Sequence, residues 1–326
     1  RLFISLILLI CWERINLTFY CYFSVCVIVY RRYLALYFLV SFFEEQGVPL
    51  KIERGGRIFP DKGEAKDVQK AVIAFARDAG VEMHTSCTVK KLLIEDDIIK
   101  ALETTAGAFS ADNIIVATGG LSYPETGCTG DGYAWAKTCG HRVVKPEAAL
   151  VPVKLNDAWT AEVSNFNLKN VRISLCVDGK KVDERFGEAF FTRAGIGGPI
   201  ILDMSSRIRD ELKKGEVKLL LDLKPAVATE LFDKRLQREL AEQSNQEFGK
   251  SLGGLLPRDM IPVFLRLVGI DPKKKCHSVT KVERQRLLKL FKELELSVSS
   301  CAGFRKAIVT SGGVSLKDID MRSMRS

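Results

Sequence analysis

Apolar and polar residues follow different periods along the chain, and the changes predict where helices and strands lie. Apolar positions recur at helical spacing after Asp67 and stop at Gly80, where a helix C-terminal glycine belongs, which predicts a helix over about 64–79. The short segments that follow are rich in β-branched residues and predict a small antiparallel meander: Val81–Thr85, Val89–Ile94 and Ile98–Glu103.

Two further apolar runs each lead into a pair of glycines. Asn113–Thr118 is short and apolar and precedes Gly119-Gly120, which is typical of a buried parallel strand ending in a glycine turn. Ala307–Thr310, followed by Gly312-Gly313, predicts a second core strand of the same kind. Strands of this type between helices indicate an α/β protein.

The character of the chain changes after Pro146. Alternating strands are expected from 151 to about 223, and a charged helical stretch follows Pro225 to about Ser297. We therefore predict an inserted domain over 151–302, flanked by the two parts of a first domain at 41–150 and 303–326.

Residues 1–40 differ from the rest because they are almost entirely aliphatic, aromatic or cysteine. The apolar run Ile15–Tyr30 is slightly shorter than a usual bilayer span, and Arg31-Arg32 could mark a cytoplasmic flank. Three interpretations are open: sequence foreign to the protein, a membrane anchor, or buried strands.

Composition excludes several classes of protein. The chain is 47% hydrophobic and 27% charged, which is typical of a folded protein. Its net charge of +9 is scattered rather than gathered on one element, so we expect no nucleic-acid partner. The nine cysteines form no CxxC pair and the three histidines lie far apart, so we expect no metal site, reduced thiols and a cytoplasmic location.

The segment Ala117–Gly132 is rich in glycine and leads into a predicted helix at Tyr133–Cys139. Glycine lets backbone N–H groups approach a phosphate or a ring, and a helix N-terminus adds partial positive charge. By itself the segment is better explained as an ordinary strand-to-helix loop. A second glycine turn at Ser311–Val314 also follows an apolar run, and α/β sheets bind ligands beyond the carboxyl ends of their strands, so the two together favour a nucleotide-type site.

An ordered set of motifs over about residues 42–320 resembles the BaiN/RdsA family of NAD(P)/FAD-dependent oxidoreductases. The motifs are Glu53–Pro60, Ala117–Pro124, Gly130–Tyr133, Gly140-His141, Leu150–Val153, Gly187–Leu202 and Val309–Leu316. The resemblance implies a Rossmann-like FAD-binding domain of the glutathione-reductase type, incomplete here. It also implies that this domain is interrupted by an inserted domain with β-barrel-like and helical parts.

The same resemblance implies a set of cofactor-binding residues. Those expected to lie against FAD are Ala117, Thr118, Gly119, Gly120, Thr129, Gly130, Asp131 and Gly132; Val89 is expected near the adenine, and Arg57, Phe59, Gly312, Gly313 and Val314 nearer the isoalloxazine. Two of these have simpler interpretations. Arg57 could be a surface cation, and Asp131 could only cap the following helix.

The sequence also departs from the family pattern. Phe191-Thr-Arg193 stands where the family has Phe-Thr-His, and a guanidinium cannot relay protons near neutral pH, so no catalytic residue is assigned. No GxGxxG pyrophosphate loop occurs in the sequence, and the resemblance implies truncation at both ends. Three lost charge-assisted hydrogen bonds would weaken FAD binding by about three to six orders of magnitude, so this chain is expected to bind FAD weakly or not at all.

The function implied is reduction of FAD by NAD(P)H, followed by hydride transfer to a small organic acceptor or electron transfer to oxygen. The alternative is a non-catalytic nucleotide-binding remnant. A membrane association is expected only if residues 1–40 are an anchor.

Overall fold

The computed structural model describes residues 37–53, 56–164 and 166–326. The chain divides into two compact units, the first ending at Thr118 and the second comprising Gly119–Ser326. Residues 1–40, for which a membrane anchor was one of three interpretations, lie almost wholly outside the described residues. Within the described part of the chain, no helix combines the length and apolar character needed to cross a bilayer.

The described part of the first unit contains two helices, a hairpin and a three-stranded sheet. Its helices are α1 (residues 37–45) and α2 (Ala65–Asp78); its strands are β1 (Leu50–Glu53), β2 (Arg57–Pro60), β3 (Val89–Glu95), β4 (Ile98–Thr104) and β5 (Gly107–Ser110). Strands β1 and β2 pair antiparallel, and β4 lies between β3 and β5 in an antiparallel sheet. The predicted helix and most of the predicted meander are thus present.

Helix α2 begins where a capping box satisfies its first amide groups. Glu64 is the N-cap, its backbone N–H donates to the Asp67 carboxylate at 3.0 Å, and its own side chain accepts from the third residue of the helix. Asp67 is therefore inside the first turn rather than before the helix. Gly80 follows the last turn with φ +79°, a backbone conformation that glycine adopts without strain.

Two of the strands predicted for this unit are absent. Val81–Thr85 pairs with no strand among the described residues. The predicted parallel strand Asn113–Thr118 is also unpaired, and Ile115 and Val116 are 46% and 47% exposed. An apolar run becomes a strand only where a neighbour completes its hydrogen-bond ladder, and none of the described strands does so here. The Rossmann-like sheet is therefore not seen, and every pairing in the described part of the chain is antiparallel.

The second unit is built on a closed six-stranded barrel, in agreement with the predicted β-rich part. The strand order around the barrel is β10-β7-β12-β11-β8-β9. The strands are β7 (Val153–Leu155), β8 (Asn167–Val177), β9 (Lys180–Thr192), β10 (Gly195–Gly197), β11 (Val217–Asp222) and β12 (Leu294–Cys301). Their alternate residues point inward and are apolar, as the period of a strand requires.

Helices accompany the barrel and share its core. They are α4 (Pro199–Glu211), within the predicted β-rich stretch, and α5 (Thr229–Glu242), α6 (Phe248–Ser251), α7 (Ile261–Val268) and α8 (Lys281–Lys292), within the predicted helical stretch. Phe291 of α8 packs on Phe232 and Phe264 with ring centroids 5.1 Å apart in both pairs, and all three rings are fully buried. Aromatic contacts of this kind join the helices into one core.

Two ion pairs stabilise the helical part of the second unit. Lys292 Nζ lies 2.7 Å from Asp222 Oδ2, and both side chains are only 10–12% exposed. Lys274 Nζ lies 2.8 Å from Glu283, whose carboxylate also accepts the Thr280 backbone N–H at the start of α8. These contacts hold the pKa of Glu283 at about 2, well below its ordinary value, with the Lys274 hydrogen bond as the largest cause.

A small two-stranded sheet and a short helix complete the second unit. They are α3 (Asp131–Thr138), β6 (Val143–Ala149) and β13 (Val309–Val314), with β6 antiparallel to β13. The predicted core strand Ala307–Thr310 is thus wrong in two respects: β13 starts later, and Ile308 and Val309 are exposed. The predicted glycine turn is wrong as well, because Gly312 and Gly313 continue the strand at a bulge.

Candidate functional site

A pocket of about 420 Å³ lies in the second unit, where the glycine-rich loop, the start of α3 and β13 come together. Its lining comprises Gly120, Ser122, Tyr123, Thr126, Cys128, Tyr133, Ile308, Val309 and Thr310. Exposed Ile308, Val309 and Tyr123 supply an apolar and aromatic rim. A concave site with an apolar wall and a few polar groups is the usual form of a small-molecule site.

Thr310 holds the glycine-rich loop in place. Its Oγ1 accepts hydrogen bonds from the backbone N–H groups of Leu121 at 2.8 Å and Ser122 at 3.1 Å, and it lies 3.0 Å from Ser122 Oγ. Thr310 and the loop residues are almost 190 positions apart in sequence, so these hydrogen bonds are long-range contacts that tie the loop to β13.

The glycines around the pocket permit close packing. A Cβ added to Gly120 would lie 2.6 Å from Thr310 Oγ1, and one added to Gly312 would lie 2.5 Å from the Lys145 carbonyl oxygen. A Cβ at Gly313 would lie 3.0 Å from the ring of Tyr133. Larger residues would therefore push the loop, α3 and β13 apart.

Gly119 and Gly130 adopt backbone conformations that favour glycine, with φ +72° and +84°. At Gly119 an added Cβ would approach Cys128 Sγ to 3.0 Å, and at Gly130 it would approach Leu121 Cδ2 to 2.7 Å. Gly119 is otherwise exposed, so its backbone is open to a ligand in a way that Gly130, packed under Leu121, is not.

The rim carries one strained residue. Tyr123 has φ +52°, which is uncommon for an aromatic residue. The following residue, Pro124, restricts its backbone further. Its carbonyl oxygen accepts from Thr126 N at 2.8 Å and Thr126 Oγ1 at 2.7 Å, while its N–H donates to the Phe304 carbonyl at 3.2 Å. These bonds hold the Tyr123 ring at the mouth of the pocket, 41% exposed.

The other site residues predicted for the second unit lie beside this pocket or along its elements. Asp131 is the first residue of α3, and its Oδ2 accepts from Thr129 Oγ1 at 2.7 Å. Gly132 follows within α3, and Val314 ends β13. Sequence reasoning did not select Tyr133 or Thr310 as site residues. Tyr133 could have been selected from the sequence, because it is the last residue of the Gly130–Tyr133 motif.

The remaining predicted site residues belong to the first unit. Arg57 and Phe59 are both in β2, and the Arg57 guanidinium carbon lies 6.0 Å from the centroid of the Phe59 ring, which is a cation–π distance. Val89 opens β3 and pairs with Thr104. Ala117 and Thr118 are in the unpaired extended segment described above.

The residues present fit a planar, partly apolar ring. The pocket offers the backbone of Gly120, which exposed Gly119 precedes in the chain, apolar walls at Ile308 and Val309, and the hydroxyl of half-buried Tyr133. Burial raises the pKa of Tyr133 above its ordinary value, with a smaller contribution from the nearby Cys128 thiol, so the phenol stays protonated at neutral pH. These features suit a flavin ring; they do not supply a pyrophosphate site.

A closed antiparallel barrel with an attached helical part defines an α+β class of fold for the second unit. A family described as "HI0933-like protein barrel and H2TH domain" matches residues 147–309, half of the chain. This chain belongs to that family, within the BaiN/RdsA flavoprotein oxidoreductases, a family of enzymes.

Three relatives extend the match beyond the barrel. A "Ribosomal RNA dihydrouridine synthase" of Haemophilus influenzae is 26% identical over 292 residues, covering 88% of this chain and 69% of the relative. A "3-dehydro-bile acid delta(4,6)-reductase" of Clostridium scindens is 27% identical over 278 residues, covering 84% and 67%. A "Ribosomal RNA dihydrouridine synthase" of Escherichia coli is 25% identical over 232 residues, covering 71% and 55%.

These names bear on the expected partners. One relative is named for a small-molecule substrate, in line with the expected substrate class. The other two are named for a reaction on ribosomal RNA, so the exclusion of nucleic acid stays a prediction.

Proposed function

We propose that this chain is part of an FAD-dependent oxidoreductase in which NAD(P)H reduces FAD and reduced FAD passes a hydride to an organic acceptor or electrons to oxygen. The observation that carries the proposal is the pocket of the second unit, which combines the closely packed backbone at Gly120, an apolar wall and a protonated tyrosine. The flavin supplies the redox chemistry, and the residues around it bind and orient it.

Each segment of the pocket has a part in this proposal. Gly119 and Gly120 allow the loop to approach the ring, and the α3 N-terminus at Asp131 borders the same loop. Arg57, Phe59, Val89, Ala117 and Thr118 belong to the first unit, and their contact with FAD stays a proposal that rests on the family resemblance alone. The reductant and the acceptor follow from the family's chemistry.

The alternative is a nucleotide-binding remnant without redox activity. It is favoured by the absence of a GxGxxG motif from the sequence, since that loop normally binds the FAD pyrophosphate. It predicts that ADP binds as well as FAD and that NAD(P)H is not oxidised when FAD is supplied.

An equilibrium titration of FAD fluorescence with the full chain tests the proposal, with Gly119→Ala and Gly140→Ala as a matched pair. Both glycines have positive φ, so both variants carry similar backbone strain, but an added Cβ meets Cys128 at Gly119 and nothing within 4 Å at Gly140. We expect saturable binding that weakens roughly tenfold or more in Gly119→Ala and stays unchanged in Gly140→Ala.

Other results would contradict the proposal in different ways. Equal affinities for FAD and ADP, with no NAD(P)H oxidation, would support the remnant. Equal weakening in both variants would show that backbone strain rather than the pocket controls binding. The absence of any saturable signal up to the solubility limit of FAD, a range in which weak binding is still detected, would reject this pocket as the FAD site.

A further inference from the structure

Most of the polar side chains that line the pocket already have partners. The Ser122 and Thr310 hydroxyls lie 3.0 Å apart, and the Thr310 oxygen accepts two backbone N–H groups as well. Thr126 Oγ1 donates to the Tyr123 carbonyl at 2.7 Å. These three hydroxyls fix the loop and are therefore engaged before any ligand binds.

Tyr133 differs from them because its hydroxyl finds no hydrogen-bond partner in the described part of the chain. It is the third residue of α3, and its ring packs against β13, where a Cβ added to Gly313 would lie 3.0 Å from Cε1. The hydroxyl lies on the Gly120 side of the pocket, since a Cβ added to Gly120 would lie 3.2 Å from it. Helix and strand thus hold the phenol in one place.

The Tyr133 hydroxyl belongs to a half-buried side chain and is still reached by water. Burial is the main cause of its raised pKa, so the group remains a neutral donor across the physiological range. A ligand that brings an acceptor exchanges the hydrogen bond that this donor makes to water for one made inside the pocket, a net gain of about 0.5 to 1.5 kcal/mol. The pocket is therefore suited to a ring with a carbonyl oxygen.

We propose that the Tyr133 hydroxyl donates a hydrogen bond to a carbonyl oxygen of the flavin ring and so positions the ring in this pocket. The inference rests on the proposed function and adds a named contact to it. The flavin ring carries two carbonyl groups beside an extended apolar portion, which match the hydroxyl and the wall formed by Ile308 and Val309. Tyr133 is accordingly a cofactor-positioning residue.

The test combines NMR and binding on the full chain. Tyrosine labelled with ¹³C at Cζ gives a signal for each tyrosine, and the signal lost in Tyr133→Phe identifies Tyr133. Adding FAD to the wild-type chain is expected to shift that signal saturably, with the same dissociation constant as the fluorescence titration. Because the shift is followed up to the solubility limit of FAD, weak binding does not prevent the measurement.

The phenylalanine variant gives a second readout. Tyr133→Phe keeps the ring that packs on Gly313 and removes only the hydroxyl, so we expect the dissociation constant for FAD to rise roughly 2- to 13-fold. Tyr37→Phe is the matched control, because Tyr37 is 69% exposed and belongs to the other unit. It is expected to leave the FAD affinity unchanged.

The outcomes separate this inference from the function on which it rests. If FAD binds but neither the Tyr133 signal nor the affinity of Tyr133→Phe changes, the positioning role is wrong and the flavin function stands. If FAD produces no saturable change in any signal, both are wrong. If uridine, and not FAD, shifts the Tyr133 signal, the pocket binds an acceptor base and the flavin contact is overturned.

Discussion

Replacing Thr310 with valine is expected to release the loop that forms one side of the pocket. Valine has nearly the same shape as threonine but lacks the hydroxyl, which accepts hydrogen bonds from the backbone N–H groups of Leu121 and Ser122 and forms a third with Ser122 Oγ. Each of these two amide groups would be left half-buried without an acceptor. At about 1 kcal/mol for each, the lower end of the range because burial is partial, the loop loses about 2 kcal/mol.

Amide hydrogen exchange measures this loss locally, which matters because a chain of two compact units need not unfold in a single step. A loss of about 2 kcal/mol makes the Leu121 and Ser122 amides exchange roughly 25-fold faster. Thr105→Val is the control, since its hydroxyl oxygen accepts one exposed bond, from Thr88 N at 3.0 Å. We expect that variant to leave exchange at Leu121 and Ser122 unchanged.

The reasoning would be refuted if exchange at Leu121 and Ser122 in Thr310→Val matched that of the wild-type chain. The loop would then be held by its own turns, and the long-range contact to β13 would contribute nothing measurable. Faster exchange throughout the second unit would instead mean that valine disturbs β13 itself, and the estimate for the two bonds would not apply.

Three further predictions concern the second unit. The pKa of Glu283 is lowered, so its ion pair with Lys274 stabilises the fold above about pH 4.5, and this contribution is lost as the pH falls towards about 2. Urea unfolding at several pH values should show that Glu283→Gln makes the free energy of unfolding less dependent on pH in this range. Burial raises the pKa of Cys301 to about 11, so iodoacetamide should label exposed Cys139 first, as followed by mass spectrometry, and equal rates would contradict the burial. Lys292→Met should lower the free energy of unfolding by about 3 to 5 kcal/mol because it leaves the Asp222 carboxylate buried and unpaired; a change below about 1 kcal/mol would show that water reaches the carboxylate.

The parts of the fold that the sequence predicted are those set by local pattern. Helix α2 has apolar residues at helical spacing between a capping box and a terminal glycine, and the structure confirms it. The β-rich stretch after 151 forms the barrel, because alternating apolar residues there have strands on both sides to pair with. Helix α4 was missed within that stretch, where its fully buried residues Ile201 and Ile208 carry the same apolar signal as a strand.

The local pattern of apolar and polar residues does not show which strand, if any, will pair with a given segment. Asn113–Thr118 has the composition of a buried strand, yet it has no partner strand among the described residues. Gly312 and Gly313 have the composition of a turn, yet β6 continues alongside them and a bulge accommodates their positive φ values. In both cases the outcome depended on a distant neighbour.

The candidate site shows the same limit. Gly119 and Gly120 were selected because they lie in a glycine-rich loop; Gly120 lines a pocket and Gly119 precedes it, and their contact with FAD stays a prediction. Thr310 completes that pocket through bonds to residues almost 190 positions away, and no local feature of the sequence distinguishes it from any other strand threonine.

Hydrogen–deuterium exchange of the full chain with and without excess FAD tests the central claim most directly. We predict that FAD slows exchange in 119–133 and 308–314, which contain the loop, the start of α3 and β13, and leaves the barrel strands β8 and β11 unchanged. Protection confined to the barrel or its helices, or no protection with FAD at its solubility limit, would contradict the assignment of this pocket to the flavin.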